Sequence, residues 1–525
     1  LVESGGFPMM RKMFMTVVSF VALHFWACDS GEKTRTTEYT EMSCTEILYH
    51  GVDSLEFVEL KATGTPLASM LASNLRLEGA VYFAFPDEPL DTSEYIVVTN
   101  DTVLFRKNYP DFTGRLFGPW LEEEGSTAVG SLSNSGDVLE VKIDGKGDVD
   151  CRFDDNPPWP KKADGGGSSL VFVGENAAYA EAWAASTTVG GNPGSGEDPV
   201  YETPTVRINE IMPYGNSDTS WIEFYNGGTQ AVDISGWRLV RTDATDSVRI
   251  IPDGSIVQAD GFLVLTNDEV EEGLYFTARG EDVYLREVNS KSELTGSETG
   301  FEYPSVPSGK TAGISELSDG YLAQGALSTV TKGAANGTLL MGPLYISEVF
   351  YNPPDGGVEF LELVNKGDTS VTLQGIVNGE LAGWRVDGIG LTFSKTITVA
   401  SGGIVLLLPL TYVATTGVTT NLDTSWYREQ VDLPSTVPIV QYSGKLSNRG
   451  ESVVVMNPVE YVIDASEEGG YKWFYEWSDA LLYSDGGAWP SEADGGGKSL
   501  TRSDFAVSGY EPGAWTAANP TPGTL

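Results

Sequence analysis

Twelve residues near position 160 recur almost unchanged near position 490. Trp159-Pro160-Lys161-Lys162-Ala163-Asp164-Gly165-Gly166-Gly167-Ser168-Ser169-Leu170 is answered by Trp489-Pro490-Ser491-Glu492-Ala493-Asp494-Gly495-Gly496-Gly497-Lys498-Ser499-Leu500, an offset of 330 residues. That distance is far too long for a small-repeat solenoid and is the scale of whole domains. The chain must therefore build an equivalent core more than once. Its 525 residues allow three or four domains, each able to bury about two-thirds of its unfolded surface. Val, Ile, Thr, Tyr and Trp cluster in short runs broken by Gly, Asn, Asp and Pro, with 61 Gly and 27 Pro in all. That pattern predicts an all-β chain with many turns.

The charge balance excludes one class of partner. Lys and Arg number 32 against 74 Asp and Glu, a net charge of −42. Nucleic-acid binding draws most of its affinity from basic residues on phosphates, so no nucleic-acid partner is expected. The chain has two histidines, His24 and His50. The first falls in a signal-like segment, which leaves the mature chain one His, expected to be exposed in the loop His50-Gly51-Val52-Asp53. A site needing two His ligands is ruled out and a Ser-His-Asp triad has little room, so no catalytic residue is assigned and the chain reads as a non-enzyme.

Met10-Arg11-Lys12 opens a basic, then apolar segment that ends at Phe25-Trp26-Ala27-Cys28. The apolar run is short for a membrane span and has signal-peptide flanks. Residues 1–27 read as a signal peptide with a start-site extension, and 28–43 as a polar tether. Ala27-Cys28 resembles the lipobox of bacterial lipoproteins, which implies lipidation at Cys28 and a lipid anchor in the membrane. Phe25 and Trp26 depart from the usual box, and a plain secretory signal is the rival. Stable anchoring takes more than one acyl chain, which a multiply acylated Cys supplies. The expected location is the bacterial cell envelope, at the outer membrane or cell surface. In such an oxidising compartment Cys44 and Cys151 form a candidate disulfide; two separate buried thiols are the alternative.

One opening pattern occurs three times. Thr45-Glu46-Ile47 precedes Phe57-Val58-Glu59-Leu60, Asn209-Glu210-Ile211 precedes Trp221-Ile222-Glu223-Phe224, and Ser347-Glu348-Val349 precedes Phe360-Leu361-Glu362-Leu363. Ile234-Ser235-Gly236-Trp237 is answered by Ala382-Gly383-Trp384, and Leu132-Ser133-Asn134-Ser135-Gly136 by Leu446-Ser447-Asn448-Arg449-Gly450. Val149-Asp150 is matched with Ile463-Asp464. The repeats also end alike, at Gly191-Asn192-Pro193-Gly194, Thr331-Lys332-Gly333-Ala334-Ala335-Asn336 and Asn519-Pro520-Thr521-Pro522-Gly523. Together these segments resemble lamin-tail domains, in their secreted bacterial branch. The resemblance covers residues 44–196, 206–342 and 343–525, with 197–205 a linker, and implies three immunoglobulin-like β-sandwiches in tandem. Bottom-up, alternating strands with a core Trp agree. The middle copy lacks the Trp-Pro tail.

Gly496-Gly497-Lys498-Ser499 is not a phosphate loop: Glu492 stands where that loop needs Gly, and Ser168 replaces Lys498 in the first copy. The glycines are expected to make a tight turn at positive φ. The paired glutamates Glu46 and Glu59, Glu210 and Glu223, Glu348 and Glu362 have two readings. They accept backbone hydrogen bonds at strand ends, or they hold Ca²⁺, which takes oxygen ligands of this kind. Asp144, Asp148 and Asp150 form another acidic stretch, which reads either as a solvated turn or as a Ca²⁺ loop without the EF-hand spacing. Asp150 to Trp159 spans 9 positions, whereas Asp464 to Trp489 spans 25. The added segment, read as an insertion, carries Tyr471, Trp473, Tyr475 and Trp477. Those rings either form a mini-core or domain interface, or stack on a polysaccharide. The expected function is a non-enzymatic envelope lipoprotein that binds, tethers or displays a protein or polysaccharide ligand; the alternative is a carbohydrate-binding adhesin using the aromatic insertion.

Overall fold

The computed structural model describes residues 40–525, apart from 52–53, 65–69, 72–74, 91–93, 144–148, 175–176, 178, 196–199, 214–219, 242–247, 355, 417, 449, 464–470 and 486. Cys28 and the whole signal-like segment lie outside these residues. The described residues are all-β apart from two short α-helices, Thr102–Asn108 and Thr424–Gln430, and a few 3-10 turns. No helix among the described residues is long and apolar enough to cross a membrane.

The strands fall into three successive groups, called repeats below. In each, an opening strand (Thr40–Leu48, Val206–Met212 or Leu344–Phe350) pairs antiparallel with the next (Phe57–Gly64, Trp221–Asn226 or Phe360–Asn365). The sheet built on that pair keeps one strand order. In the first repeat it runs Trp183–Ala185, Leu170–Phe172, Thr40–Leu48, Phe57–Gly64, Tyr95–Thr99, Arg115–Phe117. In the third it runs Trp515–Ala518, Ser499–Arg502, Leu344–Phe350, Phe360–Asn365, Ile404–Pro409, Ile439–Tyr442. The middle repeat has the same order but stops at its fifth strand, Gly261–Thr266. A four-stranded sheet lies with each of these, and residues of both sheets share one apolar cluster per repeat.

The sixth strand explains both helices. It pairs parallel to its neighbour, which demands a crossover connection, and each α-helix lies in that crossover. Asp101 and Asp423 cap the helices by accepting the N–H groups of Val103 and Leu104, and of Ser425 and Trp426. Each helix covers the outer face of its sheet. Phe105 packs on Phe57 with ring centroids 5.6 Å apart, and Tyr427 shares a second cluster with Phe360, Leu406 and Leu408. A strand buried on both faces loses its polar alternation, hence the unbroken apolar runs Ile96-Val97-Val98 and Val405-Leu406-Leu407-Leu408.

The tail motif closes the core. Trp159 and Ala163 are buried in the first repeat, Trp489 and Ala493 in the third. Gly165, Gly167, Gly495 and Gly497 have φ of 68°, 86°, 63° and 75°, the left-handed turn that residues with a Cβ disfavour. His50 is not a free exposed loop residue: it is half-buried, and its Nδ1 lies 2.8 Å from Asp164 Oδ1. Asn352 makes the corresponding contact to Asp494 at 2.5 Å. Cys44 and Cys151 join the two sheets of the first repeat by a disulfide, with Cα atoms 6.2 Å apart.

One sequence correspondence is corrected. Ile463-Asp464 does not match Val149-Asp150. Tyr303 pairs with Glu281, Tyr483 with Glu451 and Phe153 with Asp137, so Tyr483 is the counterpart of Phe153. The added residues lengthen a hairpin whose strands, Gly450–Ile463 and Tyr471–Ser484, are 14 residues each. The segment read as an insertion is therefore the returning strand itself.

The repeats pack against one another. Tyr179 of the first, Tyr321 of the second and Tyr510 of the third form a ring series at 5.1 and 5.7 Å. Tyr179 OH donates to Asp319 at 2.5 Å, and Ser318 Oγ donates to Glu511. Val200 and Tyr201, in the stretch read as a linker, are tied to the edge of the first repeat, with Tyr201 N donating to Ala185 O at 2.9 Å.

Candidate functional site

Each predicted glutamate pair is brought together on adjacent strands. Glu46 faces Glu59, Glu210 faces Glu223 and Glu348 faces Glu362 in register, each directly after a β-bulge in the opening strand. All six side chains are buried. Directly opposed like charges destabilise a sheet, so buried donors must compensate, and the same four kinds of donor recur.

The first glutamate of each pair accepts a hydroxyl from the strand beside it: Ser169 to Glu46 at 2.5 Å, Thr311 to Glu210 at 2.5 Å, and Ser499 to Glu348. It also accepts a main-chain N–H from the repeat's closing turn, at 3.0 Å in each case: Asn192 to Glu46, Thr331 to Glu210 and Thr521 to Glu348. The second glutamate accepts from the side chain just before the first. Thr45 donates to Glu59 at 2.7 Å, Asn209 to Glu223 at 2.8 Å and Ser347 to Glu362 at 2.7 Å. Its last donor is the N–H two residues further along the turn: Gly194 to Glu59 at 2.5 Å, Gly333 to Glu223, and Gly523 to Glu362 at 2.7 Å. The three glycines have φ of 86°, 81° and 83°, which turns both amides toward the pair. Each pair thus clamps the closing turn of its own repeat onto its opening hairpin.

Burial raises the carboxyl pKa at Glu210, Glu223, Glu348 and Glu362, while their hydroxyl, amide and main-chain donors oppose the rise. At Glu362 the result stands at about 7, with the Glu348 charge adding to the effect of burial. The donors are hydrogens, so in this arrangement the pairs hold protein N–H and O–H groups where the calcium reading placed a cation. Among the described residues no group of three or more His, Cys, Asp or Glu is placed to hold a metal ion. Asp144 and Asp148 lie outside the described residues, and Asp150 lies on the strand Val149–Phe153, in register with Glu140.

Two further carboxylate devices escaped the sequence reading. Glu56 accepts Leu132 N at 3.0 Å, and Glu359 accepts Leu446 N at 3.1 Å; each fastens the Leu-Ser-Asn segment of its repeat. Glu281 accepts Thr277 N at 2.6 Å and Tyr303 OH at 2.8 Å. Glu451 likewise accepts Ser447 N at 3.0 Å and Tyr483 OH at 3.1 Å. The available signal was a Glu placed immediately before Phe57 and Phe360.

Burial raises Glu56, Glu362 and Glu451 to about 7 each, from an ordinary 4.5. A group raised on folding contributes stability that is complete below its unfolded pKa and is lost as pH rises through its folded one. The chain should therefore be more stable at pH 5 than at pH 8, with Tm falling on the order of 5 °C. A Tm flat or rising over that range, by scanning calorimetry, contradicts this assignment.

The aromatic hairpin reaches the second repeat. Tyr475 O accepts Ser305 N at 3.0 Å, and Gly342 N donates to Ser478 O at 2.7 Å. Arg279 is forked on Glu460 at 2.9 and 2.7 Å and lies 5.4 Å from the Phe474 ring centre. Trp477 packs on the cluster of Ala323, Leu327, Leu339 and Tyr510. Trp473, Tyr475 and Trp477 are all half-buried and line a cleft of 550 Å³ to which all three repeats contribute. Nothing is described of the Tyr471 side chain.

A family model described as Lamin Tail Domain matches residues 199–310, most of the middle repeat. The search of curated proteins finds no match. Among solved structures, a DUF4876 family protein from Bacteroides thetaiotaomicron aligns with 56% of this chain and 90% of its own, at 11% identity and a TM-score of 0.21. That likeness is too slight to carry an argument.

Proposed function

We propose that the chain is a non-enzymatic scaffold of the bacterial cell envelope, built from three lamin-tail-like, immunoglobulin-like sandwiches and anchored by lipid on Cys28. The observation that carries the reading is the clamp made three times over. Its six buried carboxylates are engaged in tying each repeat shut, which is a use of acid pairs in construction. The packing of Tyr179, Tyr321 and Tyr510 then suits a body that holds its repeats in fixed relation and displays them away from the membrane. The lamin-tail match to residues 199–310 supports the middle sandwich, and the recurrence of strand order and clamp supports extending it to the other two.

The anchor is tested by Cys28→Ser. The variant should move from the membrane fraction to the soluble envelope fraction, and metabolic labelling with a fatty-acid probe should be lost. Retention in the membrane with unchanged labelling sinks the lipoprotein reading.

A carbohydrate-binding adhesin is the second reading, favoured by Trp473 on the cleft wall. It requires that the full chain be retained on an insoluble glycan and that Trp473→Ala abolish the retention without lowering Tm.

A further inference from the structure

The cleft shared by the three repeats has a chemistry that the scaffold reading does not use. Glu302 lies near the end of the strand Leu294–Tyr303. Phe301 and Tyr303 turn into the core of the second repeat, so Gly300 and Glu302 face the opposite side. There, Pro157 of the first repeat stands over Gly300, and Glu302 lines the cleft together with Asp154, Asp387, Trp473 and Trp477. The Glu302 main-chain N–H donates to Gln324 Oε1 at 2.8 Å. Among the described residues nothing hydrogen-bonds or ion-pairs with its carboxyl group.

The charged groups that act on Glu302 are Asp282, Asp154 and Asp155, all acids; together with burial they raise its carboxyl to about 8. None of the cleft's three basic residues is among the charged groups that act on Glu302. Arg279 is forked on Glu460, Arg152 lies 3.7 Å from Asp154, and Lys472 is exposed, 6.0 Å from the Phe474 ring centre. Of the other acids, Glu281 is paired with Arg241 at 2.6 Å, while burial raises Asp387, with Arg385 opposing. The cleft thus has surplus acid, but no cluster of acids compact enough for the inner shell of a metal ion. Dispersed carboxyls beside half-buried indole rings match a cation with an apolar body, because a ring face attracts an ammonium group and covers its methylenes.

We propose that the cleft binds a small alkylammonium ligand, a diamine or polyamine, with one ammonium group at the Glu302 carboxylate and the methylene stem against Trp473 and Trp477. The volume of 550 Å³ lies in the range of small-ligand sites. This inference is independent of the lipid anchor and stands or falls by itself.

The test is titration calorimetry of cadaverine into the mature full chain at physiological salt. Saturable binding at one site is expected. Glu302→Gln, which removes the charge and keeps the shape, should weaken it at least about tenfold. The exposed Asp253→Asn should leave it unchanged. Both variants should keep the wild-type circular dichroism spectrum, and neither should lower Tm; Glu302→Gln should raise it at neutral pH, since it removes a buried group whose ionisation opposes folding. A bound cation favours the charged carboxylate and so displaces its proton. Affinity should therefore rise about tenfold per pH unit from pH 6 to 7.5 and level off above pH 8. A tri-lysine peptide that binds with the same Glu302 and pH dependence, and more tightly, would identify a protein lysine as the natural source of the ammonium group. Binding that is equal in wild type and both variants and flat with pH is counter-ion attraction to an acidic chain, and overturns the proposal. So does the absence of cadaverine binding, whether or not a neutral oligosaccharide such as cellohexaose binds instead.

Discussion

Replacing Arg502 by methionine should destabilise the third repeat by about 3–5 kcal/mol, the largest single-residue effect expected in the chain. Arg502 Nη1 lies 2.5 Å from Asp479 Oδ2, and neither side chain has any solvent exposure. The guanidinium also donates to Val507 O at 2.6 Å and Asp504 O at 3.1 Å. The rings of Tyr345, Phe505 and Trp515 surround it at 5.2, 5.2 and 5.6 Å. Burial pushes the Asp479 carboxyl up, and Arg502 is the strongest influence holding it down. Methionine fills much of the volume but leaves Asp479 to be buried as an unpaired charge or protonated. Removing both charges is different in kind, because the desolvation cost goes with them. Asp479→Leu with Arg502→Met should recover most of the loss. Urea unfolding followed by tryptophan fluorescence checks both variants. A single variant within about 1 kcal/mol of wild type, or a double variant no better than the single, would show that the pair contributes as a surface ion pair does.

The second large effect is expected at the clamp. Glu348→Ala removes the acceptor for Ser499 Oγ and for the N–H and Oγ1 of Thr521. Hydrogen bonds to a charged group are worth more than neutral ones, and stranded buried donors add a cost. Together these should destabilise the third repeat by about 2–4 kcal/mol, after allowance for the desolvation that the native carboxylate bears. Glu348→Gln should do little better, since it keeps one acceptor oxygen and points a new donor at hydroxyl and amide donors. The specific readout is amide hydrogen exchange. The Thr521 and Gly523 amides should exchange markedly faster, whereas Lys498→Ser should leave them unchanged, because among the described residues the Lys498 ammonium group hydrogen-bonds only to Asn519, in an exposed contact. Unaltered protection at Thr521 and Gly523 in Glu348→Ala would falsify the clamp.

Much of this architecture is legible in the chain. Alternation of apolar and polar residues places Ile47, Ile211 and Val349 in the core, and an acid on each of two neighbouring strands announces the pairs. The left-handed turn in the Gly-Gly-Gly tail follows from residue type alone, since only glycine enters that region freely. The lengthened third hairpin was misread because Ile463-Asp464 imitates Val149-Asp150 in composition, while register is fixed by ladder pairing, which puts Tyr483 in the position equivalent to Phe153 and Ile463 on the preceding strand, opposite Tyr471.

By itself, then, the sequence determined the strands, their repetition and the apolar residues of the core, because those depend on local periodicity and side-chain chemistry. Only the tertiary structure decided what each buried carboxylate holds. The partners of Glu46, Glu210 and Glu348 in the closing turns lie 146, 121 and 173 residues away, and Tyr179, Tyr321 and Tyr510 belong to different repeats. A buried charge is satisfied by whichever donors the returning chain brings to it, and that return is set by how whole sheets pack, which no local pattern encodes.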